Sequence, residues 1–144
     1  MAVLVAMRGR RAPGLARRLA RTARRLLGAR ALADAELSLL LVSDRVMHEL
    51  NRHWRRKDRP TDVLAFAQRE GTGGAPDGLL GDVVISIDTA RRQAKELGHS
   101  LGAEGDRLLV HGLLHLLGYD HERSVPEARR MQRKERALLR ALEA

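Results

Sequence analysis

Eleven residues near the C-terminal end, His111-Gly112-Leu113-Leu114-His115-Leu116-Leu117-Gly118-Tyr119-Asp120-His121, restrict this chain more than any others. Each helical residue turns by about 100°, so His111 and His115 stand one above the other on one face. Leu109, Leu113, Leu116 and Leu117 fall opposite and give the helix a face to bury. Gly118 stands where helices commonly end in a left-handed residue, a conformation glycine adopts without steric penalty. The chain can double back there and carry His121 toward the first two rings. Three neutral imidazoles meeting at one point, with no fourth protein ligand nearby, is how a catalytic zinc is held with a position open to water. A pair of ordinary surface or core histidines is the plain alternative, and the glycine and third histidine at these offsets outweigh it. The chain has no cysteine, so the site is all-imidazole or nothing.

The 144 residues suffice for one domain, residues 1–144, with a real core, and the 44% apolar content suits a soluble globular protein. Absence of cysteine excludes disulfides and fits a reducing compartment. No apolar run reaches the roughly 18 residues of a membrane span. The short apolar stretch at 2–7 precedes the basic block instead of following it, unlike a secretory signal. A net charge of +9 favours a polyanionic partner, nucleic acid first. With only Trp54, Phe66 and Tyr119 as aromatics, base stacking over an aromatic sheet is not expected.

Residues 2–7 read as a first strand. Residues 8–30 carry nine arginines and no acid, with Leu15, Leu19, Ala23, Leu26 and Leu27 at helical spacing. That pattern predicts an amphipathic helix whose basic face is either solvated or attracts RNA or a membrane, or else an organellar transit peptide. Residues 36–42 form a buried strand. Ser43 caps a helix with Val46, Met47, Leu50 and Trp54 inward, closed by Pro60. A third strand is expected at 61–67, a flexible glycine-rich loop at 68–78, and a fourth strand at 79–86 interrupted by Gly81-Asp82. Ser86 or Asp88 caps a helix ending at Gly98, and the histidine helix runs from Ser100 to about Leu117. Ser124-Val125-Pro126-Glu127 is a capping box opening a last helix through Leu142. The expected fold is α/β: a single domain, a four-stranded sheet packed with about five helices, and a metal site at the end of a long helix. The order of strands in the sheet is not readable from these patterns.

Three pieces resemble the YbeY family of bacterial metal-dependent endoribonucleases and ribosomal RNA maturation factors. They are residues 111–121; residues 51–66 with Arg55, Lys57-Asp58 and Pro60-Thr61-Asp62-Val63-Leu64; and Leu80-Gly81-Asp82. Together they span about half of the chain, in the family's order and spacing. The family usually has serine at Ala65, proline at Ala67 and often asparagine at Asp62, and the part before Leu37 matches poorly. The resemblance implies one zinc ion per chain on His111, His115 and His121, with Arg55 holding RNA phosphate and stabilising its transition state. It also implies a cytoplasmic enzyme that cuts single-stranded RNA, matures the 3′ end of small-subunit ribosomal RNA and clears defective ribosomes. Expected partners are the small subunit, ribosomal proteins and an assembly GTPase, with no membrane. Without heptads or an evident apolar surface, a monomer is expected.

Two other readings compete. The metzincin metalloproteases share the histidines and glycine in register, but Gly112 stands where their general-base glutamate belongs, and Met131 lies in a predicted helix, not in a Met-turn. A non-enzymatic ribosome-assembly module with a structural metal fits the charge and the lack of an obvious general base, but structural zinc normally has four ligands. Asp120 is a candidate base or an orienting partner for a histidine, and Asp82 is a weaker site candidate.

Overall fold

The computed structural model describes residues 2–29, 35–67 and 79–143, so the loop expected at 68–78 lies outside the described residues. The elements are β1 (Ala2–Arg8), α1 (Pro13–Ala29), β2 (Glu36–Val42), α2 (Asp44–Arg55), β3 (Val63–Ala67), β4 (Leu79–Ser86), α3 (Ile87–Leu97), α4 (Leu101–Leu116) and α5 (Val125–Glu143). The four-stranded sheet has the order β1-β2-β4-β3, with β3 antiparallel on one edge and the other pairings parallel.

Alternate side chains leave a strand on opposite faces, and the central strands β2 and β4 bury side chains on both, whereas one face of β1, with Leu4, is exposed. Leu37, Leu39, Leu41, Val83 and Ile85 join α1 and α4 in the larger core. Val42, Leu64 and Val84 form a smaller one with Met47 of α2. Ser43, Ser86 and Ser100 each accept a backbone N–H from the first turn of the helix that follows. Ser86, not Asp88, therefore caps α3; Asp88 instead accepts the Asp44 N–H at 2.8 Å and pairs with Arg10. Only half of the expected capping box forms, the Glu127 N–H donating to Ser124 Oγ.

Several expectations shift. Strand β3 starts at Val63 rather than at residue 61, because the Asp62 side chain accepts the Val63 N–H at 2.8 Å and Pro60 has no N–H to offer. Strand β4 is not interrupted; Leu80 is an extra residue opposite Glu36 and Leu37, a bulge that Gly81 absorbs at φ 146°. Trp54 is exposed instead of inward. Helix α4 lacks a single buried stripe and is enclosed on nearly every side, because α1, α3, α5, β3 and β4 all pack on it. Leu117 lies beyond its end. Gly105 permits the close approach of α1, since a Cβ there would press on Leu15 at 2.9 Å.

Burying α4 also buries two acids. Asp106 accepts hydrogen bonds from Thr22 Oγ1 at 2.8 Å and Arg18 Nη2 at 2.9 Å, tying α1 to α4. Glu104 is 0% exposed and accepts from Arg107, from Gln93 at 2.7 Å and from a protonated His99 ring nitrogen at 2.7 Å. Burial opposes its ionisation, yet these hydrogen bonds outweigh burial and hold the carboxyl below the usual glutamate range. A lowered folded-state pKa contributes stability above the ordinary value of about 4.3, and that stability is lost as pH falls through the folded value. Thermal unfolding followed between about pH 3 and pH 7 should therefore show the melting temperature dropping on the acid side. Glu104→Gln should melt lower at neutral pH, because Arg107 loses its anion, and should lose part of that acid dependence. An unchanged profile would refute the assignment.

Candidate metal centre

From Glu104 to the end of α4 the only partly open positions are Arg107, His111 and His115, a stripe one turn apart along an otherwise buried stretch. Beyond it the backbone closes with two bonds: the Gly118 N–H donates to His115 O at 3.1 Å, and the Tyr119 N–H to Leu114 O at 3.0 Å. This is the Schellman pattern, with Gly118 at φ 98° and Tyr119 packed on the core. It reverses the chain and brings His121 back. The ring centres are then 4.9 Å (His111–His115), 5.2 Å (His111–His121) and 5.1 Å (His115–His121) apart. Each ring offers a nitrogen, and the three lie within 4.8 Å of one another.

The electrostatics suit a cation ligand set. Burial pushes the His115 pKa below the ordinary imidazole value, and the neighbouring His111 and His121 rings lower it further. Neutral imidazole is the form that binds a metal. His111 Nδ1 lies 3.3 Å from Glu135 Oε1 on α5, so a proton on Nδ1 leaves Nε2 as the ligating atom. Nothing in the sequence pointed to Glu135, because no short spacing connects positions on two separate helices.

The histidines open on a cleft of about 460 Å³ that Arg55, Lys57, Arg59 and Asp62 also line. Arg55 is the last residue of α2, and Arg56 after it turns left-handed at φ 58°. Arg55 Nη2 donates to Ala65 O at 2.6 Å, and its guanidinium sits 4.7 Å from the centre of the Phe66 ring. Most of its five N–H donors remain for a ligand. The tertiary fold thus brings Arg55 to the same cleft as the histidines. Asp82 is not among the cleft residues; it pairs with Phe66 within the sheet. Asp120 lines the cleft but accepts the Glu122 N–H at 2.8 Å and pairs with Arg123 at 3.3 Å. The backbone hydrogen bond from Glu122 is the main reason its carboxyl lies below the usual range, and that bond shapes the turn that carries His121. At Gly112 a Cβ would lie 2.8 Å from a Val83 methyl and 3.3 Å from Val63. The position where a metzincin places its glutamate is therefore closed by the sheet.

The fold and site define an α/β protein with a three-imidazole cradle at the end of its central helix. A family model described as Endoribonuclease YbeY matches residues 12–143, and the chain belongs to the YbeY family. It is 58% identical to the Endoribonuclease YbeY of Anaeromyxobacter sp. (strain Fw109-5) over 93% of this chain and 67% of that protein. It is 48% identical to the Endoribonuclease YbeY of Geobacter metallireducens over 99% of this chain and 97% of that protein. The chain spans only 64% of the length of an Anaeromyxobacter dehalogenans relative. The solution structure of TM1509 from Thermotoga maritima superposes with a TM-score of 0.64 at 25% identity, covering 94% of this chain and 87% of that one.

Proposed function

We propose that residues 1–144 form a single metal-dependent endoribonuclease domain that uses zinc on His111, His115 and His121 and cuts single-stranded RNA. The observation that carries this reading is the convergence of three imidazoles on a cleft also lined by Arg55, Lys57 and Arg59. The donor set fits the ion: three imidazole nitrogens, one ring kept neutral by burial and another oriented by a carboxylate. A zinc ion held there supplies Lewis acidity and lowers the pKa of water. Arg55 holds the phosphate and stabilises charge that develops on it, while Lys57 and Arg59 draw the RNA backbone into the cleft. Family membership supports a more specific role, maturing the 3′ end of small-subunit ribosomal RNA and clearing defective ribosomes in the cytoplasm. The partners are the small subunit, ribosomal proteins and an assembly GTPase, engaged by a monomer. No helix among the described residues is long and apolar enough to cross a membrane.

Metal analysis with parallel incubations on single-stranded RNA and casein tests the proposal. One ion per chain with RNA cut and casein intact is expected; metal-free protein that cleaves RNA, or digestion of casein, would overturn it. RNA binding with metal but no cleavage would instead favour the assembly-module reading. Arg55→Ala should keep its metal and lose the charge-assisted bonds to phosphate, about 1.5–3 kcal/mol or roughly 10- to 150-fold in kcat/KM. An unchanged kcat/KM would remove Arg55 from the reaction.

A further inference from the structure

Helix α2 directs Met47 and Leu50 at the sheet, and Trp54, two turns beyond Met47, falls on the same side of the helix. Trp54 is nevertheless 61% exposed, beside β3, the edge strand of the sheet. The indole meets the His53 ring at 4.7 Å and 86° and the Phe66 ring at 6.2 Å and 64°, so neither lies flat against it. The other two aromatics each have a guanidinium over the ring, Arg55 over Phe66 and Arg130 over Tyr119. A single exposed apolar side chain is ordinary, but this one immediately precedes Arg55 of the cleft and is flanked in the chain by Arg52, Arg56, Lys57 and Arg59, of which Lys57 and Arg59 also line the cleft. A cationic groove with an aromatic face beside it is the combination that binds single-stranded nucleic acid.

We infer that Trp54 is a nucleobase platform: one base of a single-stranded RNA stacks on the indole while the adjoining phosphates run over Arg55 and Lys57 toward the histidines. The inference rests on the endoribonuclease reading and adds a binding subsite to it. Every base has a π face, so a single ring fixes the path of the strand without selecting its sequence.

Trp54 is the only tryptophan in the chain, so emission from the metal-loaded protein reports this residue alone. A single-stranded 2′-O-methyl oligonucleotide should quench it saturably, and an abasic strand of equal length and charge should not. Trp54→Ala should bind the base-bearing strand about tenfold more weakly than the parent, Trp54→Phe should recover most of the loss, and both should bind the abasic strand equally. Metal content and circular dichroism should not change, and cleavable RNA should show a raised KM with kcat retained. Equal affinity of Trp54→Ala and parent for the base-bearing strand, or equal quenching by both strands, overturns the platform. If the parent still cleaves RNA in that case, the nuclease reading stands without it. Base-dependent quenching and the tenfold loss in a protein that cleaves nothing would sink the nuclease reading and keep the platform.

Discussion

Replacing His115 with alanine is expected to remove the bound metal and RNA cleavage together. The His115 ring centre lies 4.9 Å from that of His111 and 5.1 Å from that of His121. Two imidazoles on a partly open cleft hold a divalent ion poorly, and the metal's share of transition-state stabilisation is several kcal/mol, a rate loss of roughly a thousandfold or more. The fold should survive, because α4 is anchored by Leu109, Leu113 and Leu116 on faces that His115 does not share. Metal analysis, circular dichroism and a gel-based cleavage assay on one preparation decide the outcome. A folded, metal-free His115→Ala protein with parental activity would end the proposal.

Gly81→Ala should cost the most stability of any single-methyl change. Gly81 sits at φ 146°, where an L side chain is strained, and a Cβ there would collide with the backbone carbonyl oxygen of Phe66 and press on Leu116 at 3.0 Å. The Phe66 carbonyl belongs to β3 and cannot rotate away as a flexible side chain would. Strain and overpacking together amount to roughly 3–5 kcal/mol, a large part of the 5–15 kcal/mol typical of a folded domain. Urea unfolding should show a much lower midpoint with little change in slope. Leu116 adjoins His115, so metal affinity should fall as well. A midpoint within experimental error of the parent's would show that β4 tolerates a side chain there.

Trp54 and α4 mark where sequence reasoning reached its limit. Periodicity placed Trp54 inward with Met47 and Leu50, but the residue is 61% exposed: spacing along a helix assigns a side, and only the packing around it decides whether that side is covered. Periodicity also assigned α4 one apolar face, because alternation detects a boundary between protein and water. A helix surrounded by five elements has almost no such boundary, and its leucines and glycines carry contacts on every side. The bulge at Leu80 produced a legible glycine signal, but whether the strand broke there or absorbed one extra residue depended on its pairing with β2.

By itself the sequence determined the succession of elements, the cap at Ser43, and the gathering of His111, His115 and His121. Each follows from backbone sterics acting over a few residues: a turn every 3.6 positions, a left-handed glycine, a hydroxyl reaching the next free N–H. Only the tertiary structure decided the strand order, the meeting of Arg55 with the histidines, the support of His111 by Glu135, and the closure of position 112 by Val83. These join residues far apart in the chain, and what fixes them is how whole faces pack once the sheet has formed, which no local spacing encodes.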